Sequence, residues 1–332
     1  MPQTRTKSRS RPGARQETAF RPDQPGEIPR RPLGSTGDYV SALGLGGYHL
    51  GSIANEREAV GVLHAAIDGG ITFMDNAWDY HDGRSETLMG KALANGYRDR
   101  VFLMTKVCTH GRDARVAMRM LEDSLRRLRT DHLDLWQVHE VAYENDPENH
   151  FAPGGVIEAL DRAKAQGKVR FVGFTGHKDP SLHLRMLAQG YPFDTVQMPL
   201  NPFDAQFRSF EQRILPELER RGIAAIGMKS MGGDGIALKK RVITAGESLR
   251  YAMSLPVATT VSGIDSMKVL RQNLRIARGL ERLQPEEMRT IREKVAEKAR
   301  DGRFELYKTT ARHEGAEGRR QHGFPDEEEL EG

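Results

Sequence analysis

Three apolar stretches of this 332-residue chain each end on an ionisable side chain. Asp75 ends the first, with Tyr80 five residues later, Lys106 ends the second, and His139 ends the third. Ionisable residues are rare inside apolar strands. Because three strands each deliver one at the carboxyl end, we interpret the four residues as parts of a shared site.

The types of these side chains suit one kind of chemistry. A tyrosine normally holds its proton with a pKa of about 10, and a neighbouring lysine ammonium lowers that pKa toward the range useful for acid catalysis. Asp75 can hold Lys106 charged and oriented, and His139 can donate a hydrogen bond to a carbonyl oxygen. Such a set protonates an oxygen while a hydride reaches the attached carbon. No side chain supplies a hydride, so the pattern requires a cofactor.

Each of these residues by itself also fits an ordinary structural role. Asp75 could cap a helix, and Lys106 could extend its charge to the surface. His139 alone is more often a hydrogen-bonded structural histidine, and Tyr80 alone an ordinary loop aromatic. The joint pattern favours catalysis.

Short apolar strands alternate with amphipathic helices between Gly34 and Arg278. Eight strand–helix units over roughly 250 residues predict a parallel sheet and an α/β fold of the (β/α)8 TIM barrel type. The turn at Thr36-Gly37-Asp38 predicts a β-hairpin before the barrel, and Pro285 predicts the first turn of an extra C-terminal helix. In such a barrel, functional residues lie at the carboxyl ends of the strands, where the four candidates are found.

The composition divides the chain into three parts. Residues 1–30 are basic and poor in apolar side chains, which predicts a disordered arm. Residues 31–300 hold the predicted barrel, and residues 301–332, which are polar and end in an acidic run, predict a tail that is partly mobile. The long polar loop from Glu140 to Pro153 follows the His139 strand and is a candidate lid.

Composition and charge disfavour several classes of protein. The net charge of +4 and the pI of about 9.1 do not indicate nucleic-acid binding in a chain of this length. Cys108 is the only cysteine, so an internal disulfide and a cysteine metal site are excluded, and the histidines lack metal-ligand spacing. No apolar run approaches a membrane span, and the single cysteine fits a reducing, cytoplasmic compartment. The oligomeric state and a contact of the basic arm with RNA or acidic lipid stay open.

The motifs around the four candidates resemble those of the aldo-keto reductase superfamily. They read Asp-Asn-Ala-Trp-Asp-Tyr at 75–80, Met-Thr-Lys-Val at 104–107 and Asp-Leu-Trp-Gln-Val-His at 134–139. The resemblance extends from about Leu33 to Asn273. It implies a (β/α)8 enzyme that reduces a small-molecule aldehyde or ketone with a nicotinamide cofactor, with Tyr80 as the general acid.

The resemblance also implies where the cofactor and the substrate would bind. Thr175 and Gln197 would contact the carboxamide, and the glycine-rich stretch 227–235 would contact the pyrophosphate. The cofactor candidates are Gly47, Tyr48, Asp75, Thr175, Gly176, Gln197, Met228, Lys229, Gly232, Gly233, Gly263, Gln272 and Asn273. The substrate candidates are Tyr80, His139, Trp78 and His110.

The chain departs from the family pattern at the phosphate end of the cofactor. Gly263 stands where the family often has a basic residue, so Lys268 or Arg271 would have to bind a 2′-phosphate. NADPH is expected on family grounds, and NADH is left open. The alternative to an enzyme is a non-catalytic, cofactor-binding regulatory or scaffold subunit on the same fold.

Overall fold

The computed structural model describes residues 26–108 and 113–311 of the chain, and within them eight parallel strands close a barrel. Two further strands precede the barrel: β1 Arg30–Pro32 and β2 Tyr39–Ser41. The barrel strands are β3 Leu43–Gly46, β4 Phe73–Asp75, β5 Phe102–Val107, β6 Leu133–Val138, β7 Val169–Thr175, β8 Thr195–Pro199, β9 Ala224–Met228 and β10 Thr259–Gly263. Strands β3 to β10 follow one another around the barrel, and β10 pairs with β3 to close it. The predicted TIM barrel is confirmed.

Helices follow the strands on the outside of the barrel. They are α1 Gly47–Gly51, α2 Glu56–Asp68, α3 Arg84–Ala92, α4 Ala114–Leu128, α5 Asp146–Phe151, α6 Val156–Ala165, α7 Pro180–Ala188, α8 Phe210–Arg213, α9 Leu215–Arg221, α10 Ile236–Lys239, α11 Ala245–Ser254, α12 Met267–Arg278, α13 Pro285–Ala299 and α14 Leu306–Thr309. The predicted extra C-terminal helix is α13, whose first residue is Pro285.

The predicted hairpin is present, and it closes the amino-terminal end of the barrel. Strands β1 and β2 pair antiparallel, and Leu33 and Val40 pack into the cluster of apolar side chains inside the barrel. In that cluster the rings of Phe73 and Phe102 stack with centroids 5.5 Å apart. Gly34 has a φ of +57°, and a Cβ there would lie 2.8 Å from a backbone atom of Ala224, so only glycine fits.

Two segments outside the barrel strands have a local physical explanation. The stretch between Phe207 and Arg221 forms two helices, α8 and α9, because Pro216 lies in the first turn of α9 and cannot continue a preceding helix. The candidate lid from Glu140 to Pro153 contains α5, whose buried Asp146 accepts hydrogen bonds from the backbone of the loop. This loop therefore packs on the protein as an ordered element.

The C-terminal segment described by the structure, residues 301–311, packs against the barrel. The Lys308 ammonium is fully buried, 2.7 Å from a carboxylate oxygen of Asp204 and 3.0 Å from one of Glu305. Residues 312–332 of the predicted tail and residues 1–25 of the predicted arm lie outside the described residues. None of the helices in the described ranges is long and apolar enough to cross a membrane.

The contact between α3 and α4 can be tested with one pair of glycines. A Cβ at Gly90 on α3 would lie 2.2 Å from the carbonyl oxygen of Arg127, whereas a Cβ at Gly61 on α2 would meet no atom within 4 Å. We expect Gly90→Ala to lower the free energy of unfolding by about 1–3 kcal/mol, because the helices must move apart. Gly61→Ala, the control, should raise it by up to about 1 kcal/mol through helix propensity.

Urea unfolding of both variants, followed by circular dichroism, measures the two changes. Equal stability of the Gly90→Ala and Gly61→Ala variants would contradict the described packing of α3 on α4.

Candidate active site

The barrel brings the four candidate residues together at the carboxyl ends of its strands. Asp75 is the last residue of β4, and Lys106 lies one residue before the end of β5. His139 follows β6, and its backbone N–H donates to the carbonyl oxygen of Val107 at 2.8 Å. Tyr80 lies on the loop after β4. Asp75 and Lys106 are 31 positions apart in the sequence, and Lys106 and His139 are 33 apart. Parallel pairing of consecutive strands brings all three to the same edge of the barrel.

Lys106 is the centre of this group. Its ammonium, which is 1% exposed, lies 2.8 Å from Asp75 Oδ1, 2.7 Å from the carbonyl oxygen of Asn76 and 3.3 Å from the Tyr80 hydroxyl. The other Asp75 oxygen, Oδ2, accepts a hydrogen bond of 2.8 Å from Gln197 Nε2. A buried ammonium needs an anionic partner and filled hydrogen bonds, and this one has both.

The Tyr80 phenol differs from the expectation drawn from the sequence. Burial, and after it the carboxylates of Asp75, Asp79 and Glu140, raise the pKa of Tyr80 well above 10. The Lys106 ammonium, 3.3 Å from the hydroxyl, acts in the opposite direction, but the burial of the phenol and the nearby carboxylates outweigh it. Tyr80 therefore holds its proton at neutral pH and is available as a proton donor.

His139 lies beside Tyr80 and between two carboxylates. The two rings meet edge to face with centroids 5.8 Å apart. Asp79 Oδ1 is 3.6 Å from His139 Nδ1, and Glu140 Oε2 is 3.9 Å from His139 Nε2. Both distances exceed a direct hydrogen bond, so the carboxylates orient the imidazole electrostatically and leave it able to bind a further oxygen.

The loop that carries Tyr80 is held in an uncommon backbone conformation. His81, Asp82 and Gly83 have φ values of 51°, 54° and 80°, so three consecutive residues are left-handed. The next residue, Arg84, anchors this loop to the segment after β3 through hydrogen bonds to the carbonyl oxygens of Gly51, Ile53 and Ala54. These hydrogen bonds hold the strained turn in place and so keep the Tyr80 phenol at the site.

Three of the cofactor candidates carry buried polar atoms without a hydrogen-bond partner in the described residues. These atoms are Thr175 Oγ1, Gln197 Oε1 and Asn273 Oδ1. Buried polar atoms in native proteins are normally paired. Thr175 is the last residue of β7 and pairs with Gln197 in the middle of β8, which donates to Asp75, and Asn273 lies on α12. The residues present therefore fit a polar ligand with amide-like groups at both ends.

Gly176 replaces the amide side chain that the family pattern has at this position, and the structure explains why. A Cβ there would lie 2.5 Å from the carbonyl oxygen of Val141 and 2.6 Å from the His183 ring. His183 is fully buried against the rings of Phe174 and Phe210. The imidazole thus occupies space that a larger side chain at position 176 would need.

The remaining candidates surround the same barrel opening or lie outside it. Gly47 packs against the Asp75 backbone, Met228 ends β9 and is followed by Lys229, and Gly263 packs against the His49 ring. Five others are placed on the loops and helices around them: half-exposed Tyr48, half-buried Trp78, exposed Gln272, and Gly232 and Gly233 in the left-handed loop before α10. His110 lies outside the described residues. The binding roles of all these residues remain predictions.

The sequence interpretation missed several polar side chains near the tetrad. Asp79, Glu140 and His177 lie close to His139, and Tyr307 from the C-terminal segment packs edge to face on His177. Glu140 and His177 are each the second residue after a strand end, which is the same signal that pointed to the four candidate residues. In the part of the chain that the structure describes, no group of three or more metal-ligating side chains could hold a metal ion.

A cavity of about 730 Å³ opens at the opposite, amino-terminal end of the barrel. Three arginines of its lining form ion pairs: Arg98 lies 3.0 Å from Asp134, Arg170 lies 2.8 Å from the same carboxylate, and Arg100 lies 2.9 Å from Asp68. Functional groups of TIM barrels lie at the carboxyl ends of the strands. We therefore interpret this cavity as an ion-paired closure of the barrel.

Comparison with known proteins decides the family. The model of the aldo/keto reductase family matches residues 42–247, more than half of the chain. The chain belongs to the aldo/keto reductase family. The resemblance noted in the sequence is thereby confirmed.

Individual relatives in this family are distant. The aldo-keto reductase YhdN of Bacillus subtilis is 32% identical over 199 residues, which are 55% of this chain and 56% of the relative. Methylglyoxal reductase YeaE of Escherichia coli is 38% identical over 132 residues, 40% of this chain and 44% of the relative. The chain thus spans about half the length of these curated relatives. An aldo/keto reductase of Klebsiella pneumoniae, solved in complex with NADP and acetate, superposes with a TM-score of 0.65 and 25% identity, covering 79% of this chain and 94% of that one.

His183 should make the stability of this aldo/keto reductase sensitive to acid. Burial lowers the pKa of His183 from 6.5 to about 3 in the folded protein. Between these values the unfolded chain binds a proton that the folded chain does not, so stability is complete above pH 6.5 and falls as the pH decreases. His183→Phe should remove about 2 kcal/mol of the stability lost between pH 7.5 and pH 5.

Urea unfolding at both pH values measures this difference. The matched control is His132→Phe, because His132 is exposed and lies beside Asp131 on the surface. The interpretation fails if the two variants lose the same amount of stability as the unchanged chain on acidification.

Proposed function

We propose that this chain reduces a small aldehyde or ketone to an alcohol with NADPH, with Asp75, Tyr80, Lys106 and His139 as its catalytic residues. The observation that carries the proposal is the buried Lys106 ammonium, which contacts both Asp75 and the Tyr80 hydroxyl. Burying the ammonium of a lysine to 1% exposure costs desolvation free energy. Its position between a carboxylate and a phenol therefore favours a functional role over a purely structural one.

Each residue has one role in this reaction. The His139 imidazole orients the carbonyl oxygen by a hydrogen bond. The Tyr80 hydroxyl transfers its proton to that oxygen, and the Lys106 ammonium stabilises the phenolate that remains. Asp75 holds Lys106 charged and in place. When bound, the reduced nicotinamide supplies the hydride that the carbonyl carbon accepts.

The cofactor proposal rests on the unpartnered polar atoms at the barrel opening. Thr175 and Gln197 would hold the carboxamide, and because Gln197 also donates to Asp75, cofactor binding would be linked directly to the tetrad. Asn273 would hold the adenine. The Klebsiella pneumoniae relative was solved with NADP, which supports NADPH over NADH. The name of the Escherichia coli relative, methylglyoxal reductase, supports a small carbonyl substrate. A cytoplasmic location remains a prediction from the single cysteine, Cys108.

The first test removes the proposed acid. Tyr80→Phe should reduce kcat by about 10²–10⁴-fold, because the proton donor is lost. Binding of NADPH, measured by fluorescence titration, should change by less than about threefold. Lys106→Met should show the same separation between turnover and binding.

Tyr39→Phe is the matched control, because Tyr39 is 60% exposed on β2 at the other end of the barrel. It should have the turnover of the unchanged enzyme. Full turnover by the Tyr80→Phe variant would overturn the assignment, and a chain that binds NADPH but reduces no carbonyl compound would favour a regulatory subunit.

The second test concerns the 2′-phosphate. Lys268 lies in the first turn of α12 and Arg271 one turn later; both are exposed and neither has an ion pair in the described ranges. The double variant Lys268→Ala/Arg271→Ala should raise the Kd for NADPH about tenfold and leave the Kd for NADH unchanged, because only NADPH loses a charge-assisted hydrogen bond.

The control is Lys298→Ala/Arg300→Ala, which removes the same two charges at the end of α13. It corrects for the general effect of net charge. If both cofactors weaken equally in the Lys268→Ala/Arg271→Ala variant, these residues do not read the 2′-phosphate.

A further inference from the structure

A second buried ion pair lies next to the proposed catalytic group. The Glu140 carboxylate accepts a hydrogen bond of 2.9 Å from His177 Nδ1, and the two side chains are only 4% and 3% exposed. Glu140 follows His139, and His177 follows the end of β7, so both come from carboxyl ends of barrel strands. The same Glu140 oxygen is 3.9 Å from His139 Nε2. The pair therefore borders the position of the carbonyl oxygen.

The protonation of this pair leaves one nitrogen available. Burial raises the pKa of Glu140, whereas the neighbouring imidazoles of His177 and His139 lower it. The net pKa is about 2, so the carboxylate is ionised at neutral pH. Burial lowers the pKa of His177 more than Glu140 raises it. The neutral ring donates its Nδ1–H to Glu140 and presents a lone pair at Nε2. Nε2 is buried and has no hydrogen-bond partner among the described residues.

A cation completes the surroundings of the pair. Lys229 is half-buried at the end of β9 in a left-handed conformation with a φ of 52°. Its ammonium lies 5.2 Å from the centre of the Tyr307 ring, which packs edge to face on His177 with centroids 5.7 Å apart. This neighbourhood offers an anionic acceptor, a neutral acceptor and a cationic donor. A hydroxyl group can donate its one hydrogen to either acceptor and accept a hydrogen bond from the cationic donor.

We propose that Glu140 and His177 form a specificity subsite that binds a hydroxyl group on the carbon next to the substrate carbonyl. The inference rests on the proposed function, because His139 must bind the carbonyl oxygen. The adjacent hydroxyl donates to His177 Nε2 or to the Glu140 carboxylate and accepts from Lys229. A carboxylate in this position would meet the ionised Glu140, so the subsite selects α-hydroxy aldehydes and ketones over 2-oxo acids. A methyl group would leave the buried polar atoms unpaired.

The test compares two aldehydes of nearly the same shape. The enzyme with NADPH is assayed on 2-hydroxypropanal and on 2-methylpropanal, in which a methyl group replaces the hydroxyl, and on pyruvate as the 2-oxo acid. We expect kcat/KM for 2-hydroxypropanal to exceed that for 2-methylpropanal by about 10- to 100-fold, with pyruvate poorest. In Glu140→Gln and in His177→Phe the ratio of the two aldehydes should fall to within about threefold of one.

The controls separate recognition from structure. Glu144→Gln changes an exposed carboxylate of the same loop that contacts Arg185, and His64→Phe changes a histidine stacked on Tyr97; both should keep the ratio. Because the ratio compares two substrates in one variant, a loss of active protein does not change it. If His177→Phe does not fold, Glu140→Gln, which is nearly isosteric, decides.

Each outcome has a distinct meaning. Equal kcat/KM for the two aldehydes in the unchanged enzyme would overturn the subsite and leave the proposed function intact. A high ratio that survives in both Glu140→Gln and His177→Phe would also overturn it. No reduction of any carbonyl compound with NADPH or NADH would overturn the proposed function and the subsite together.

Discussion

The architecture at the barrel opening depends on the buried contact between the Lys106 ammonium and Asp75. An ion pair out of water is favourable only when both partners are closely placed and their remaining hydrogen bonds are filled. The carbonyl oxygen of Asn76 and the amide of Gln197 fill them, so β4, β5 and β8 must converge within a few ångströms. The closed barrel, with its strands in consecutive order, satisfies this condition, which links the fold to the proposed chemistry.

The balance of charge around Tyr80 follows from the same contact. Asp75 offsets the lysine, and the nearby carboxylates of Asp79 and Glu140 make the surroundings of the phenol negative. Such surroundings favour the protonated form of the Tyr80 phenol. His177 donates a hydrogen bond to Glu140, and Tyr307 of the C-terminal segment packs on His177.

The departures from the family pattern have local physical reasons. Gly176 is small because His183 and the Val141 backbone fill the space above it. Gly263 is small because the His49 ring lies against it, 2.3 Å from where a Cβ would be. The C-terminal segment, in turn, is held by the buried Lys308, which bridges Asp204 and Glu305. At both glycines, atoms from another part of the chain limit the size of the side chain that fits.

The sequence alone determined the barrel, because alternating apolar strands and amphipathic helices are local patterns that short segments already contain. It also predicted Asp75, Tyr80, Lys106 and His139 as one group, since functional groups of this fold follow strand ends. Tertiary structure alone decided the pKa of Tyr80, the Glu140–His177 pair and the packing of Lys308. These depend on burial and on distances between residues far apart in the chain, and the electrostatic energy of a group changes with both. No pattern within a single segment contains that information.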